Sequence, residues 1–454
     1  MRALPALIAI ALVVAAAVLI ASQPGRVAVT WQGWEIETSV AVMGLAVAFA
    51  ALVIAFVFTL LRWIVRGPGA WARARRERRR RDGYRALTQG MVAVAAGDAE
   101  EAQKLARKAD SLLAEPPLTL LLSAQAAQLS GDEGAATRYF NAMLERPETE
   151  FLGLRGLLMQ ALRGGDQAGA LRLAERAKAL RPKTPWVLSN LLELQARARR
   201  WQAAEATLVE VTRRKALPPP DARHRHAVVL HEHASEADAE GRAGEAMRLQ
   251  SRAHALEPAF APVAVRYARM LALRGQRRKA RRALEAAWRA APHPTLAEAY
   301  GALFAGEPIL QRMKHLERLA SFHPGHAEGH IALANAALEA RLWGEARRHL
   351  AAAQGDGAGN ATPRVCRLMA DVEESENGDH AAARSWLARA GVAALPDPAW
   401  VCDACGVESV QWAAQCPGCD GFATLAWRGS DRPPPARRTL DAAASARPLL
   451  PTQS

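Results

Sequence analysis

Phe151-Leu-Gly-Leu-Arg-Gly-Leu-Leu-Met-Gln-Ala-Leu-Arg-Gly-Gly165-Asp-Gln-Ala-Gly-Ala170-Leu-Arg-Leu-Ala-Glu-Arg-Ala177-Lys-Ala-Leu-Arg-Pro182 is the stretch that decides the fold. Gly165 closes a first helix, because the turn needs a residue that tolerates positive φ. Ala170 and Ala177 lie on the second helix, where small side chains let the two helices of a hairpin approach closely. Pro182 cannot continue that helix and resets the chain for another unit. The same order returns as Gly131, Ala136 and Phe140, as Gly241, Ala246, Ala253 and Pro258, and as Gly275, Ala280, Ala287 and Pro292.

Outward from this unit, one position recurs as Ala102, Ala136, Ala170, Ala204, Ala246, Ala280, Ala346 and Ala383, at spacings of 34, 34, 34, 42, 34, 66 and 37 residues. A 34-residue period of helix pairs is the signature of tetratricopeptide (TPR) repeats, which stack into an α-solenoid. The 42 reads as one repeat with an eight-residue insertion near Pro218–His226, and the 66 as two repeats, one degenerate. Small residues also recur twelve positions before the key alanine, at Gly90, Ala124, Ala234, Ala268 and Ala334, while Leu158, Leu192 and Asp371 break that pattern. The reading is an all-α chain with eight repeats within 83–391 and a weak ninth across Thr295–Pro324. Trp186, Trp201, Trp288, Trp343 and Trp386 read as packing residues, since large aromatics mostly serve burial.

The first 66 residues read as a two-span membrane hairpin. Ala3–Ala21 is 19 residues without a charge and Ser39–Leu61 is 23, each long enough as a helix to cross a hydrocarbon core of roughly 30 Å. A cleaved signal peptide ending near Ala21 and a pair of buried core helices are the competing readings. Trp31, Trp34, Trp63 and Trp71 flank the second segment, as interfacial indoles do. Between Arg62 and Arg85, ten arginines face Glu77 and Asp82, a balance of +8 that makes up more than half of the net +14. Arginine flanking a span stays on the cytoplasmic side, so both ends are expected in the cytoplasm, with the basic segment 67–82 against the anionic inner leaflet. Nucleic acid is a competing use of Arg73–Arg81, but a span ending nearby explains the run better, and no nucleic-acid partner is expected.

Four of the five cysteines fall within 18 residues as Cys402-Asp-Ala-Cys405, ten intervening residues, and Cys416-Pro-Gly-Cys419. Each CxxC turn can present two sulfurs to one tetrahedral ion, so 398–428 reads as a closed four-thiolate module with zinc as first choice and iron as the alternative. Redox dithiols are the competing reading. Gly406 and Gly418 relax the two turns so that backbone amides can face the sulfurs. A module this small cannot fold on its own apolar surface, so the metal supplies its folding energy, with Trp400, Trp412 and Trp427 covering it or docking it on the last repeat. The segment 429–454 is Pro/Arg/Ala/Ser-rich and is expected to be disordered. Cys366 reads as a small buried apolar residue. His224, His226, His231 and His233 cluster in the insertion and read as a solvated helix, with haem or porphyrin contact as the sharper alternative. No glycine-rich phosphate loop, nucleophile–base set or open metal site is present, so no catalytic residue is assigned and a non-enzyme is expected.

These parts together resemble the HemY family of bacterial haem-biosynthesis-associated membrane proteins, in its alphaproteobacterial form and distinct from the protoporphyrinogen oxidase sharing that name. The resemblance rests on the double N-terminal span, on Val29-Thr-Trp31-Gln-Gly-Trp34-Glu-Ile-Glu-Thr-Ser39-Val-Ala-Val, on the Arg-rich exit, on Arg155-Gly-Leu-Leu through Arg181-Pro-Lys-Thr-Pro-Trp186-Val-Leu, and on Trp400-Val-Cys402-Asp-Ala-Cys405-Gly. It implies a scaffold at the inner membrane that holds haem-biosynthesis enzymes or other membrane-associated proteins. The cysteine module is also similar to the rubredoxin-like module of LapB, a membrane-anchored TPR protein that regulates lipopolysaccharide assembly, which implies an envelope adaptor instead.

Overall fold

The computed structural model describes residues 26–31, 34–113, 116–354, 361–393 and 395–429, with side chains described throughout except at 26–37, 41, 61–73 and 116. The expected first span, the tail beyond Gly429 and the side chains of the four interfacial tryptophans therefore lie outside the described residues. The chain divides into two compact units, Met1–Tyr139 and Phe140–Ser454.

In the first unit, β1 (Arg26–Trp31) pairs antiparallel with β2 (Trp34–Ser39), with Arg26 opposite Ser39 and Trp31 opposite Trp34. The segment between the two apolar runs is thus a β-hairpin. Its β-branched and aromatic residues at every second position, Val27, Val29 and Trp31 against Trp34, Ile36 and Thr38, suit a pleated strand pair. Ser39 then caps α1 (Val40–Ala96, 57 residues) by accepting from the Val42 amide at 3.4 Å. Val42–Leu60, 19 residues of mean hydropathy 2.6 with none buried, is the one segment among the described residues long and apolar enough to cross a membrane.

That helix does not stop at the expected membrane boundary. It runs on through the basic stretch and becomes the first helix of the first repeat, so the expected separate segments 39–61, 67–82 and the repeat start form one rod. Arg75–Arg81 lie 15–21 residues past Leu60, roughly 22–32 Å along the axis at about 1.5 Å per residue. A headgroup layer is only about 5–8 Å deep. A helix running straight along the membrane normal from Leu60 would carry these charges beyond that layer, and a tilted one would keep them nearer to it.

Repeats follow as helix pairs. In the first unit α1 pairs with α2 (Ala99–Leu112), followed by α3 (Pro116–Leu129) and α4 (Glu133–Leu144), which crosses the unit boundary. The second unit holds α5 (Pro147–Arg163) with α6 (Gln167–Leu180), α7 (Pro185–Arg197) with α8 (Trp201–Arg213), and α9 (Pro219–Ala239) with α10 (Ala243–Leu256). After these come α11 (Ala261–Leu273) with α12 (Arg277–Ala290), α13 (Pro294–Ala302) with α14 (Ile309–Ala320), α15 (Ala327–Glu339) with α16 (Trp343–Ala353), and α17 (Pro363–Asn377) with α18 (His380–Gly391). The weak ninth repeat is present as α13 and α14.

The eight key alanines are all buried, seven of them at 0% exposure. Five residues before each lies the turn, and every one has positive φ: Gly97, Gly131, Gly165, Gly241, Gly275 and Gly378, but also Arg199 at 54° and Arg341 at 57°. The backbone geometry is therefore kept where the glycine is lost, at a steric cost of about 1–2 kcal/mol for each arginine. The eight-residue insertion is a lengthened helix: α9 has 21 residues where α7 and α11 have 13. Where Leu158 breaks the small-residue pattern, Gly153 and Gly156 supply the close approach. A Cβ on Gly156 would fall 2.2 Å from Phe140 Cε1. Trp288 is fully buried and Trp201 nearly so, whereas Trp186, Trp343 and Trp386 are half-buried against the core. Cys366 is buried, and burial pushes its thiol pKa up.

Candidate metal centre

The C-terminal module is a three-stranded sheet ordered β4-β3-β5, with β3 (Ala399–Cys402) between β4 (Glu408–Ser409) and β5 (Leu425–Arg428), all antiparallel. Cys402 ends β3 and Cys405 lies one turn on, while Gly406 at φ 76° returns the chain to β4. The second turn, Cys416 to Cys419, is closed by Asp420 N donating to Cys416 O at 2.9 Å and Cys416 N donating to Gly421 O at 3.0 Å. Gly418 is required there, since a Cβ would meet Val407 Cγ2 at 2.6 Å.

The fold brings together all four cysteines that the sequence nominated. Their sulfurs lie within 4.8 Å of one another, with Cys402 to Cys419 at 3.7 Å and Cys405 to Cys416 at 3.6 Å. Four thiolates at about 2.3 Å from a tetrahedral ion stand roughly 3.8 Å apart, so the set fits one metal ion. The surroundings suit thiolates. Gly418 N lies 3.4 Å from Cys416 Sγ, and Thr424 Oγ1 lies 3.2 Å from Cys402 Sγ. At Cys402 burial opposes ionisation, but the Thr424 hydroxyl and the Cys405 and Ala404 amides outweigh it and bring the thiol down to about 7. Burial pushes Cys416 and Cys419 up, so a bound cation is what would hold all four ionised together.

The module does not dock on the last repeat, which corrects the expectation. It lies on the face made by the first helices of the central repeats. Phe422 is fully buried against Leu192, Trp201, Val228 and Val229, with its ring 6.3 Å from Trp201. Its backbone N–H donates to Glu193 Oε1 at 2.8 Å, and Gln415 Nε2 donates to Ala196 O at 2.9 Å. Trp412 packs edge-on against His231 at 5.4 Å and Phe260 at 5.3 Å, while Trp400 and Trp427 pack on His293 at 5.3 and 4.2 Å. The returning chain is pinned by Asp397, which accepts from Arg364 N at 2.8 Å and pairs with Arg367 at 2.7 Å. A sheet this small carries more aromatic surface than it can bury internally, and the first-helix face covers the remainder.

This docking also revises the histidine cluster. His231 and His233 are buried at 8% and 9% exposure, not solvated, and His231 forms part of the module's seat. His231 Nδ1 meets Gln250 Oε1 at 3.2 Å, and Gln250 Nε2 in turn donates to Val263 O at 2.9 Å. Burial holds the His231 imidazole down at about 4, with Arg266 adding to it. His293, which the sequence reading passed over, is held at about 4 by burial and by Arg364. His224 and His226 are also lowered by burial.

These features define a class: a TPR-type helical-repeat protein with an apolar, span-length helix near its N-terminus and a four-thiolate module seated on its central repeats. The family described as "HemY protein N-terminus" matches residues 25–131, which hold the hairpin, the apolar helix and the first repeat. Over 448 residues the chain is 30% identical to the "Probable magnetosome protein Mms48" of Magnetospirillum gryphiswaldense, covering 95% of this chain and 94% of that protein. It is 28% identical over 191 residues to "Protein HemY" of Escherichia coli strain K12, covering 41% of this chain and 47% of that protein. Among solved structures, a tetratricopeptide repeat protein from Parabacteroides merdae is similar at 12% identity, with a TM-score of 0.29, over 54% of this chain and 93% of that one. The chain belongs to the HemY family.

Proposed function

We propose that this protein is a membrane-anchored TPR scaffold associated with haem biosynthesis, holding partner proteins on its repeats and carrying zinc in the four-cysteine module. The observation that carries the reading is the family match over residues 25–131, because it joins the hairpin and apolar helix to the first repeat in one unit. The apolar window supports an anchor at the inner membrane, and the arginines that follow it favour a cytoplasmic repeat array. Two spans with both ends in the cytoplasm is the topology that this charge pattern supports. The partners on this reading are haem-biosynthesis enzymes or other membrane-associated proteins. Zinc, held as a closed structural ion, is the first choice for the four-thiolate set, and iron is the alternative. Metal analysis of the purified protein decides between them, since iron in this ligand set absorbs visible light and zinc does not. Contact with haem or porphyrin belongs to the same reading, with His226 and His233 as the residues to change in an absorbance titration.

The test is a porphyrin and haem profile of cells lacking the gene. Accumulated intermediates, restored by the wild-type chain, support the haem assignment, and an unchanged profile overturns it. A second reading is favoured by the full-length relative, named as a probable magnetosome protein: the same scaffold serving a different membrane assembly. An unchanged porphyrin profile with partners from such an assembly, or from lipopolysaccharide synthesis, would move the function there.

A further inference from the structure

Beside the docked module lies a cleft of about 1030 Å³ that the metal centre does not use. One wall is α11 and α13, and the other is the module. On opposite walls stand two large apolar side chains in open solvent, Leu273 at 87% and Val410 at 94% exposure. A lone exposed apolar residue needs no explanation, but two on the rims of one cleft form a surface without its cover. Deeper in, His293 is 4% exposed and its Nε2 has no hydrogen-bond partner, and neither does the buried Nε1 of Trp412. Both nitrogens are covered by protein and lie behind the cleft's wall, so recognition of a ligand falls on the exposed groups of the cleft.

Charge says what kind. Arg266, Arg364 and Arg367 are already paired with Asp238, Glu328 and Asp397. Arg269, exposed on α11, has no partner among the described residues. It also borders a second hollow of about 430 Å³, floored by alanines of α11 and α13, whose only charged lining residues are Arg269 and Arg277. Leu273 is shared by both hollows, so they run in series along α11. Glu298 on α13 and Glu408 on the module, both exposed acids, line the first hollow and would repel a second carboxylate there.

We infer that this cleft binds an extended polypeptide segment that carries one carboxylate beside a large apolar side chain, and that the cleft exists only while the metal module is folded and seated. The carboxylate pairs with Arg269 and the apolar side chain covers Leu273 and Val410. Hollows in series with apolar groups on their rims suit an extended chain, whereas a compact small molecule would leave those rims wet. The metal dependence follows because Val410, Trp412 and Trp427 belong to a module whose fold needs the ion. The inference deepens the scaffold reading and rests on it.

The experiment uses the full chain in lipid nanodiscs, loaded with zinc, against a displayed library of random short peptides. Enriched sequences should place a single Asp or Glu within a few positions of a large apolar residue. Their affinity should fall more than tenfold for Arg269→Glu and for Leu273→Asp, both exposed positions whose repeats can be checked by circular dichroism, and should vanish when the zinc is chelated. No enrichment overturns the inference, as does enrichment of peptides that bind Arg269→Glu or the chelated protein equally well. An unchanged porphyrin profile with a working cleft would overturn the haem assignment alone, and an altered profile without peptide binding would overturn the cleft alone.

Discussion

Phe422→Ala tests the position of the module. The ring is fully buried in a cluster with Leu192, Trp201, Val228 and Val229 of the repeats and Ala414 of the module. Truncating a buried phenylalanine costs about 3–5 kcal/mol. Here that loss falls on the docking equilibrium, because the side chain lies outside the thiolate shell. At about 1.4 kcal/mol per factor of ten, seating should weaken roughly a hundred- to several-thousandfold. Amide hydrogen exchange read by mass spectrometry, with metal content measured on the same sample, reports both quantities. The expected result is faster exchange in α7 and α9 with all of the metal retained. Unchanged exchange there would refute a module seated on the central repeats. Loss of metal together with protection would mean that Phe422 holds the module's own fold rather than its seat.

Arg341→Gly should stabilise the repeats by about 1 kcal/mol, since glycine relieves the positive φ of 57° at an exposed turn; a lowered melting temperature would count against this. Gly156→Ala should destabilise by roughly 1–3 kcal/mol or more in denaturant titrations, because the new methyl meets the Phe140 ring, and a neutral result would mean that the helices separate freely. Cys402→Ser or chelation should unfold the module and strip protection from the central repeats, whereas an unaltered exchange pattern would mean that the module stands without its ion. Acid should also unseat it. His231 and His293 titrate at about 4 when seated and near the ordinary 6.5 when released, so the released state gains protons first. Seating is therefore undiminished above about pH 6.5 and weakens as pH falls from there towards 4, by up to roughly 3 kcal/mol per histidine. Gln250 and Arg266 face the first ring and Arg364 the second. If the acid midpoint of seating were the same in His231→Gln/His293→Gln, metal loss and not the histidines would set it.

The repeats and the cysteine set were legible because each depends on local spacing. A turn five residues before a buried alanine and a proline after the second helix specify a hairpin with no distant partner. Two CxxC turns specify a sulfur tetrahedron in the same local way, and the four sulfurs converge as their spacing requires. The β-hairpin was readable in principle from the alternation of Val27, Val29 and Trp31. The long apolar runs on either side mask that alternation, because their period-free hydrophobicity dominates any window that spans it.

By itself, then, the sequence determined the helical hairpins, their period, the apolar span-length helix and the four converging cysteines. Tertiary structure alone decided where the module sits, that α1 is one unbroken rod, and what the histidines do. These depend on residues such as Phe422 and Leu192, 230 positions apart in the chain, meeting in one core. No local period records such a contact. Aromatic surface left over from a small sheet seeks whichever apolar face lies within reach, and only the folded path of the repeats sets which face that is.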